Sequence, residues 1–247
     1  MRRFIVFCGW LALKTCPWLK RILPEPFARA RIARRYLSGR GIEIGALHNP
    51  LEVPPGARVQ YVDRIPLAEL RRQYPDFKKR ALVDVDILDD GETLATFPDA
   101  TQNFVIANHF LEHCQNPIGA LKNMLRVLRP DGVLFLSVPD MRHSFDKDRP
   151  ATELAHVERD YREGPEWSRR PAVEEFVRLV NKIDDPEAAR RQVEAYLQTG
   201  YAIHYHAWTE WEILEILLYL RRQLQLPLRV EMINHYGPEF VFILRKL

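Results

Sequence analysis

Cysteine is scarce in this chain of 247 residues: Cys8, Cys16 and Cys114 make an odd three, without metal-ligand spacing. Neither a disulfide framework nor a zinc–cysteine site is expected, and such usage suits a reducing cytosol. Long apolar runs are lacking as well. The stretch FIVFCGWLAL from Phe4 to Leu13 falls far short of the roughly 20 residues that cross a bilayer. No internal repeat or low-complexity tract is evident. With 47% apolar residues over this length, one α/β domain with additions is the expectation.

Acidic side chains are almost missing from the first 40 residues, where Glu25 alone faces Arg2, Arg3, Lys14, Lys20, Arg21, Arg29, Arg31, Arg34, Arg35 and Arg40. That arm carries a balance of +9, so the remainder carries −6 for a total of +3. A nucleic-acid partner is not expected, because the acidic remainder offers no continuous basic face. Arg2 and Arg3 ahead of a short apolar stretch resemble a signal peptide, but no small-residue cleavage site follows and basic residues resume at Lys14. Two readings of the arm stay open. Basic residues interleaved with Trp10, Trp18, Leu19 and Ile22 suit the surface of an anionic membrane, and a helix packed on the domain or on a second subunit accounts for them equally.

What is present is an ordered set of four segments: GIEIGALHNP from Gly41, VQYVD ending at Asp63, LVDVDI ending at Ile87, and FVIANHFLEH from Phe104 followed by LRVLRPDGVLFLSVPD. Strands are expected near 41–45, 59–62, 81–84, 103–107 and 132–138. Leu67, Leu70 and Tyr74, then Ile118, Leu121, Met124, Leu125 and Leu128, recur at helical spacing between them. In an open α/β sheet the ligand lies across the carboxyl ends of the strands, so Gly45 after the first and Asp63 after the second should face one pocket. Their separation of 18 residues is close to the roughly 20 between a nucleotide-binding turn and the acid that takes the ribose hydroxyls.

These segments together resemble a class I S-adenosylmethionine-dependent methyltransferase, in the group whose fourth strand runs into Leu111-Glu112-His113. The resemblance covers Gly41 to Asp140 well and the rest weakly. It implies a Rossmann-like, seven-stranded, mostly parallel sheet with an antiparallel last strand, and LRVEMINHY and EFVFILRKL around Gly237-Pro238 read as the closing hairpin. It also implies that Glu43, Gly45, Ala46, Asp63, Asp86, Ile87 and Asn108 hold S-adenosylmethionine. One departure matters. The family's turn alternates three glycines, and Leu47 and Asn49 stand at the second and third positions. Asparagine tolerates left-handed backbone better than other non-glycine residues, and Pro50 biases it toward extended geometry, so a local variant of the turn is expected.

Methyl transfer needs an acceptor held in line with the donor, and a base if that acceptor must lose a proton. His109 and His113 are candidate bases at the edge of the pocket. A polar, helical insertion at about 140–205 adds His143, Asp146, Asp148, Arg149, His156 and Asp160 within 18 residues, then His204 and His206. The last two alternate, so on an extended segment both rings would face one side as a ligand pair with Asp146 or Asp148. A surface that binds sugar hydroxyls would use the same residue types, with Trp167, Tyr205 and Trp208 as stacking faces. The DKDR of Asp146 to Arg149 paired with the HxHxWT of His204 to Thr209 is similar to methyltransferase-like proteins of cell-surface polysaccharide synthesis. By that resemblance a cytoplasmic enzyme acts on a saccharide or lipid-linked glycan, with His113, Asp146, Asp148, His204 and His206 handling the acceptor and no resident metal. A scaffold that keeps the fold without catalysis, and a metal-assisted enzyme, are the rival readings.

Overall fold

The computed structural model describes residues 29–73 and 80–247. The apolar run Phe4 to Leu13, its aromatic and basic neighbours, and Tyr74 lie outside them. Seven strands form one sheet in the order β3-β2-β1-β4-β5-β7-β6. They are β1 (Arg40–Ile44), β2 (Arg58–Asp63), β3 (Ile87–Leu88), β4 (Gln102–Asn108), β5 (Leu128–Pro139), β6 (Leu228–Tyr236) and β7 (Glu239–Lys246). Pairing is parallel from β3 across to β5, and β7 runs antiparallel to both of its neighbours.

The central strands are near-continuous apolar runs because both faces of the sheet are covered. Along β4, Val105 and Ala107 face one side with Leu134, Leu136 and Val138 of β5, against helices α3 (Pro117–Val127) and α7 (Glu210–Arg222). Phe104 and Ile106 face the other with Val133 and Phe135, beneath Ala33 of helix α1 (Arg29–Tyr36) and Leu37. The described end of the basic arm thus packs on the sheet. At the crossing of β1 and β4 a Cβ on Gly41 would stand 2.4 Å from the Phe104 carbonyl oxygen, so only glycine allows this approach.

One of the expected strands is corrected. No strand forms at 81–84; those residues pass over the turn after β1, with the Val83 N–H donating to the Leu47 carbonyl at 2.8 Å. Pairing with β2 is delayed to Ile87 and Leu88. Within the insertion, Phe145–Asp148 form a 3-10 turn capped by the Ser144 side chain, which accepts from the Asp146 N–H.

The insertion after β5 is built from α4 (Leu154–Glu163), α5 (Glu166–Leu179) and α6 (Pro186–Thr199). Val173, Phe176 and Val177 of α5 meet Val193 of α6 and Ile203 in an apolar cluster of their own. Helix α4 instead gives Val157 to the main core, which fixes the near edge of the insertion to the domain. Thr209 caps α7 reciprocally with Glu212, ending the segment 203–208 at a fixed place. A short helix α2 (Leu67–Gln73) follows β2.

Candidate active site

Strand β1 brings Glu43 and Gly45 to the carboxyl edge of the sheet. Gly45 has φ +63, and the space where its Cβ would be holds only the Phe110 ring edge, 3.9 Å away. A cradle of this kind admits a ligand close to the backbone. The turn beyond it is the expected local variant, with a detail of its own. Ala46 accepts a hydrogen bond from the Asn49 N–H at 3.0 Å, and the left-handed residue is Leu47, at φ +50, rather than Asn49.

Glu43 is fully buried under this turn, both carboxylate oxygens taking the Leu51 N–H at 3.0 and 3.1 Å. Burial pushes its pKa up to about 7 against those bonds and the Asn108 amide. Asn108, the last residue of β4, donates to Glu43 at 3.4 Å, and its side-chain amide oxygen Oδ1 is buried with no hydrogen-bond partner among the described residues. Asp63 ends β2 and accepts a long bond, 3.4 Å, from the Ile65 N–H. Its carboxyl is raised by burial. An open cradle at Gly45, an acid after β2 and an orphaned amide oxygen after β4 fit an adenosyl amino acid. Asp86 sits just before β3, its carboxylate receiving the Tyr61 N–H at 2.8 Å, and Ile87 packs against the core.

The second half of the site grows from the sequence after β4. His109 holds φ +48. Its Nε2 bonds Glu239 of β7 at 2.5 Å while Nδ1 lies 3.6 Å from Glu112. Burial opposes its charge, but the bond to Glu239 and the charge of Glu112 raise its pKa. Glu112 is buried, its carboxylate oxygens finding no hydrogen-bond partner beyond its own backbone among the described residues, and its pKa is raised by burial. Next to it, His113 donates from Nδ1 to the Ile203 carbonyl at 2.8 Å, which leaves Nε2 without a proton in the neutral ring. Burial, then the neighbouring His204, lowers its pKa to about 3.

His204 completes the group. Its Nδ1 lies 2.6 Å from Asp146, its Nε2 lies 3.9 Å from Glu112, and its ring meets His113 edge-on at 4.7 Å. Asp146 and Arg149 are buried together, 2.8 Å apart, and Arg149 also donates to the His204 and Tyr205 carbonyls. The two motifs singled out in the sequence therefore bond directly to each other. Phe145 covers His204 at 4.5 Å while staying 54% exposed, an apolar face open to a ligand.

Among the five acceptor-side residues expected from sequence, the structure gathers His113, Asp146 and His204. Asp148 lies apart, paired with Lys182 at 3.1 Å near the surface. His206 turns to Asp160 and His156 rather than to the partners of His204, so the alternating pair does not share one ligand set. His143 stands over Asp140 with His235. Glu112 joins the group, although the sequence reading gives it no role of its own. Its signal was an acid in an otherwise apolar Phe110-Leu111 context, between two histidines.

A sheet of this order with these residues at its carboxyl edge defines a class I S-adenosylmethionine-dependent methyltransferase. A family model described as a methyltransferase domain matches residues 14–184, and the chain belongs to that family. No curated protein matches it. Among solved structures, a protein from Rhodobacter sphaeroides described as a putative zinc-dependent alcohol dehydrogenase is similar with TM-score 0.53 and 13% identity over 91% of both chains. A methyltransferase from Aquifex aeolicus gives TM-score 0.45 and 13% identity, over 84% of this chain and 82% of that one. Mitomycin 7-O-methyltransferase gives 0.46 and 15%, over 85% of this chain but 49% of its own length. At such identities the likeness concerns the fold alone.

Proposed function

We propose that the site moves the methyl group of S-adenosylmethionine to a hydroxyl of a saccharide or lipid-linked glycan. The bound cofactor supplies an electrophilic methyl group. Gly45, Ala46, Asp63, Asn108 and Glu43 hold it, with Ile87 and Asp86 at the adenine edge. The observation that carries the reading is the Asp146–His204 pair.

A hydroxyl is a poor nucleophile until a base takes its proton as the new bond forms. Asp146 fixes His204 so that Nδ1 carries the shared proton and Nε2 is the basic atom, in the manner of a carboxylate–histidine pair. His113 has a lone pair on Nε2, but burial makes it a weak base, and it serves to position the His204 ring. Phe145 offers the apolar face that a sugar ring stacks on. The basic residues of the first 40 suit an anionic membrane surface carrying a lipid-linked acceptor.

The test is transfer of labelled methyl from S-adenosylmethionine to a panel of oligosaccharides and lipid-linked glycans, with His204→Gln beside the native protein. Labelled glycan from the native chain and about 100-fold less from the variant supports the reading. No labelled glycan, with label instead on small amine or thiol acceptors included as controls, overturns it.

A further inference from the structure

The second histidine cluster takes no part in that reading. His156 and Asp160 lie one turn apart on α4 and so leave the same face of the helix. His206 reaches them from the segment ahead of α7. His156 Nε2 stands 3.3 Å and His206 Nε2 3.9 Å from the same oxygen, Asp160 Oδ2. The three ligand atoms lie within 4.8 Å of one another.

The other Asp160 oxygen is satisfied by the Ser168 hydroxyl at 2.6 Å. Apart from a contact of the His206 ring with the Gln115 backbone carbonyl, Oδ2 and the ring nitrogens of His206 have no hydrogen-bond partner among the described residues, although Asp160 is fully buried and His206 is 1% exposed. Orphaned polar atoms at such depth are costly, and a shared cation removes the cost. A tetrahedral ion with bonds of about 2.0–2.2 Å sets its ligand atoms about 3.3–3.6 Å apart. The His156–Asp160 separation already has that value, the His206–Asp160 separation exceeds it by a few tenths of an ångström, and the two imidazoles, no more than 4.8 Å apart, draw together as they close on the ion.

The surroundings suit a built site. Trp208 stacks on the His206 ring at 5.1 Å and Trp167 flanks His156 at 4.8 Å, which fixes both ring planes. Ser168 orients the carboxylate as outer-shell groups do in metal centres. His156 keeps 34% of its side chain exposed, leaving an entry path and a fourth position for water.

We propose that His156, Asp160 and His206 bind a divalent transition-metal ion of the zinc type. Two imidazoles and one carboxylate without a thiolate favour zinc or cobalt over magnesium or calcium. The ion ties insertion helix α4 to the segment that carries His204 two residues earlier. Its binding stands without the glycan reading; only this effect on His204 rests on it.

The experiment uses the full chain, free of any affinity tag and stripped of metal with a chelator. Zinc and cobalt are titrated in, and bound metal is counted by mass spectrometry after dialysis. The expected result is one equivalent, with the intense visible bands of tetrahedral cobalt. His156→Ala, a half-exposed change, should lower affinity by more than about 100-fold, while His143→Ala should leave it alone. Less than one equivalent, or the weak spectrum of six-coordinate cobalt, overturns the site on the native chain alone. Native-like binding by folded His156→Ala overturns the ligand assignment.

Discussion

His204 Nδ1 lies 2.6 Å from Asp146, 58 residues away in sequence, and Arg149 locks the pair by donating to the Asp146 carboxylate and to the His204 carbonyl. A buried carboxylate between one arginine and one histidine stays ionised, and its pKa is lowered by those two partners against the effect of burial. Asp146 is thus ionised, and His204 is oriented by it, before any acceptor arrives.

Asp146→Asn keeps the volume and removes the charge. The expected outcome is a fall in kcat of about 100- to 10,000-fold, with S-adenosylhomocysteine affinity within about twofold of native. A parallel loss of cofactor affinity would show that Asp146 supports the whole pocket rather than the acceptor side. Arg149→Met should act on stability instead, since it strips a partner from a buried carboxylate and from two carbonyls. A loss of about 3–5 kcal/mol is expected in urea unfolding.

Gly45→Ala places a methyl group in the cofactor cradle and forces an L residue to φ +63. Stability should drop by about 1–2 kcal/mol, and S-adenosylhomocysteine binding should weaken by more than that strain alone explains. Calorimetry and thermal unfolding on the same preparation separate the two effects.

Glu43, with its pKa pushed up to about 7 by burial, is about half protonated at neutral pH without cofactor. The sulfonium and ammonium cations of S-adenosylmethionine favour its charged form. Binding at pH 7 should therefore release up to about half a proton, read from binding enthalpies in buffers of different ionisation heat. Glu43→Gln should release none. The same shift works on folding: the folded chain holds this proton where the unfolded chain has lost it. Its contribution is present below the ordinary carboxyl value of 4.5 and lost as pH rises through about 7.

His113 gives the opposite slope. Its folded pKa of about 3 lies below the ordinary 6.5, so the unfolded chain takes up a proton that the folded chain refuses. Its contribution is present above 6.5 and lost as pH falls toward 3. His113→Asn, which can still donate to the Ile203 carbonyl, should flatten the fall in urea midpoint between pH 7 and pH 5.

Much of this was legible in the sequence where one residue pattern had one physical meaning. The apolar runs of β1, β4 and β5, and the hairpin around Gly237, could only pair as a sheet. The acid after β2 and the glycine after β1 were fixed by the geometry of parallel strands. Residues 81–84 misled because an apolar pair, Leu82 and Val83, is needed to pack over the turn as well as to build a strand. His204 and His206 misled for a related reason. Alternation predicts a common side only in a regular strand, and this segment bends around Tyr205, whose N–H is taken by the Glu112 carbonyl at 2.8 Å. Glu112 was hidden because its burial beside a partner of opposite charge depends on His204, brought from about 90 residues away.

The most direct test is calorimetric titration of the full chain with S-adenosylhomocysteine, repeated on Asp63→Ala. Micromolar binding by the native chain is expected, weakened in the variant by about 10- to 100-fold for the loss of charge-assisted hydrogen bonds. Unchanged affinity in a folded Asp63→Ala protein, or no binding by the native chain, would contradict the placement of the cofactor at the carboxyl edge of β1 and β2.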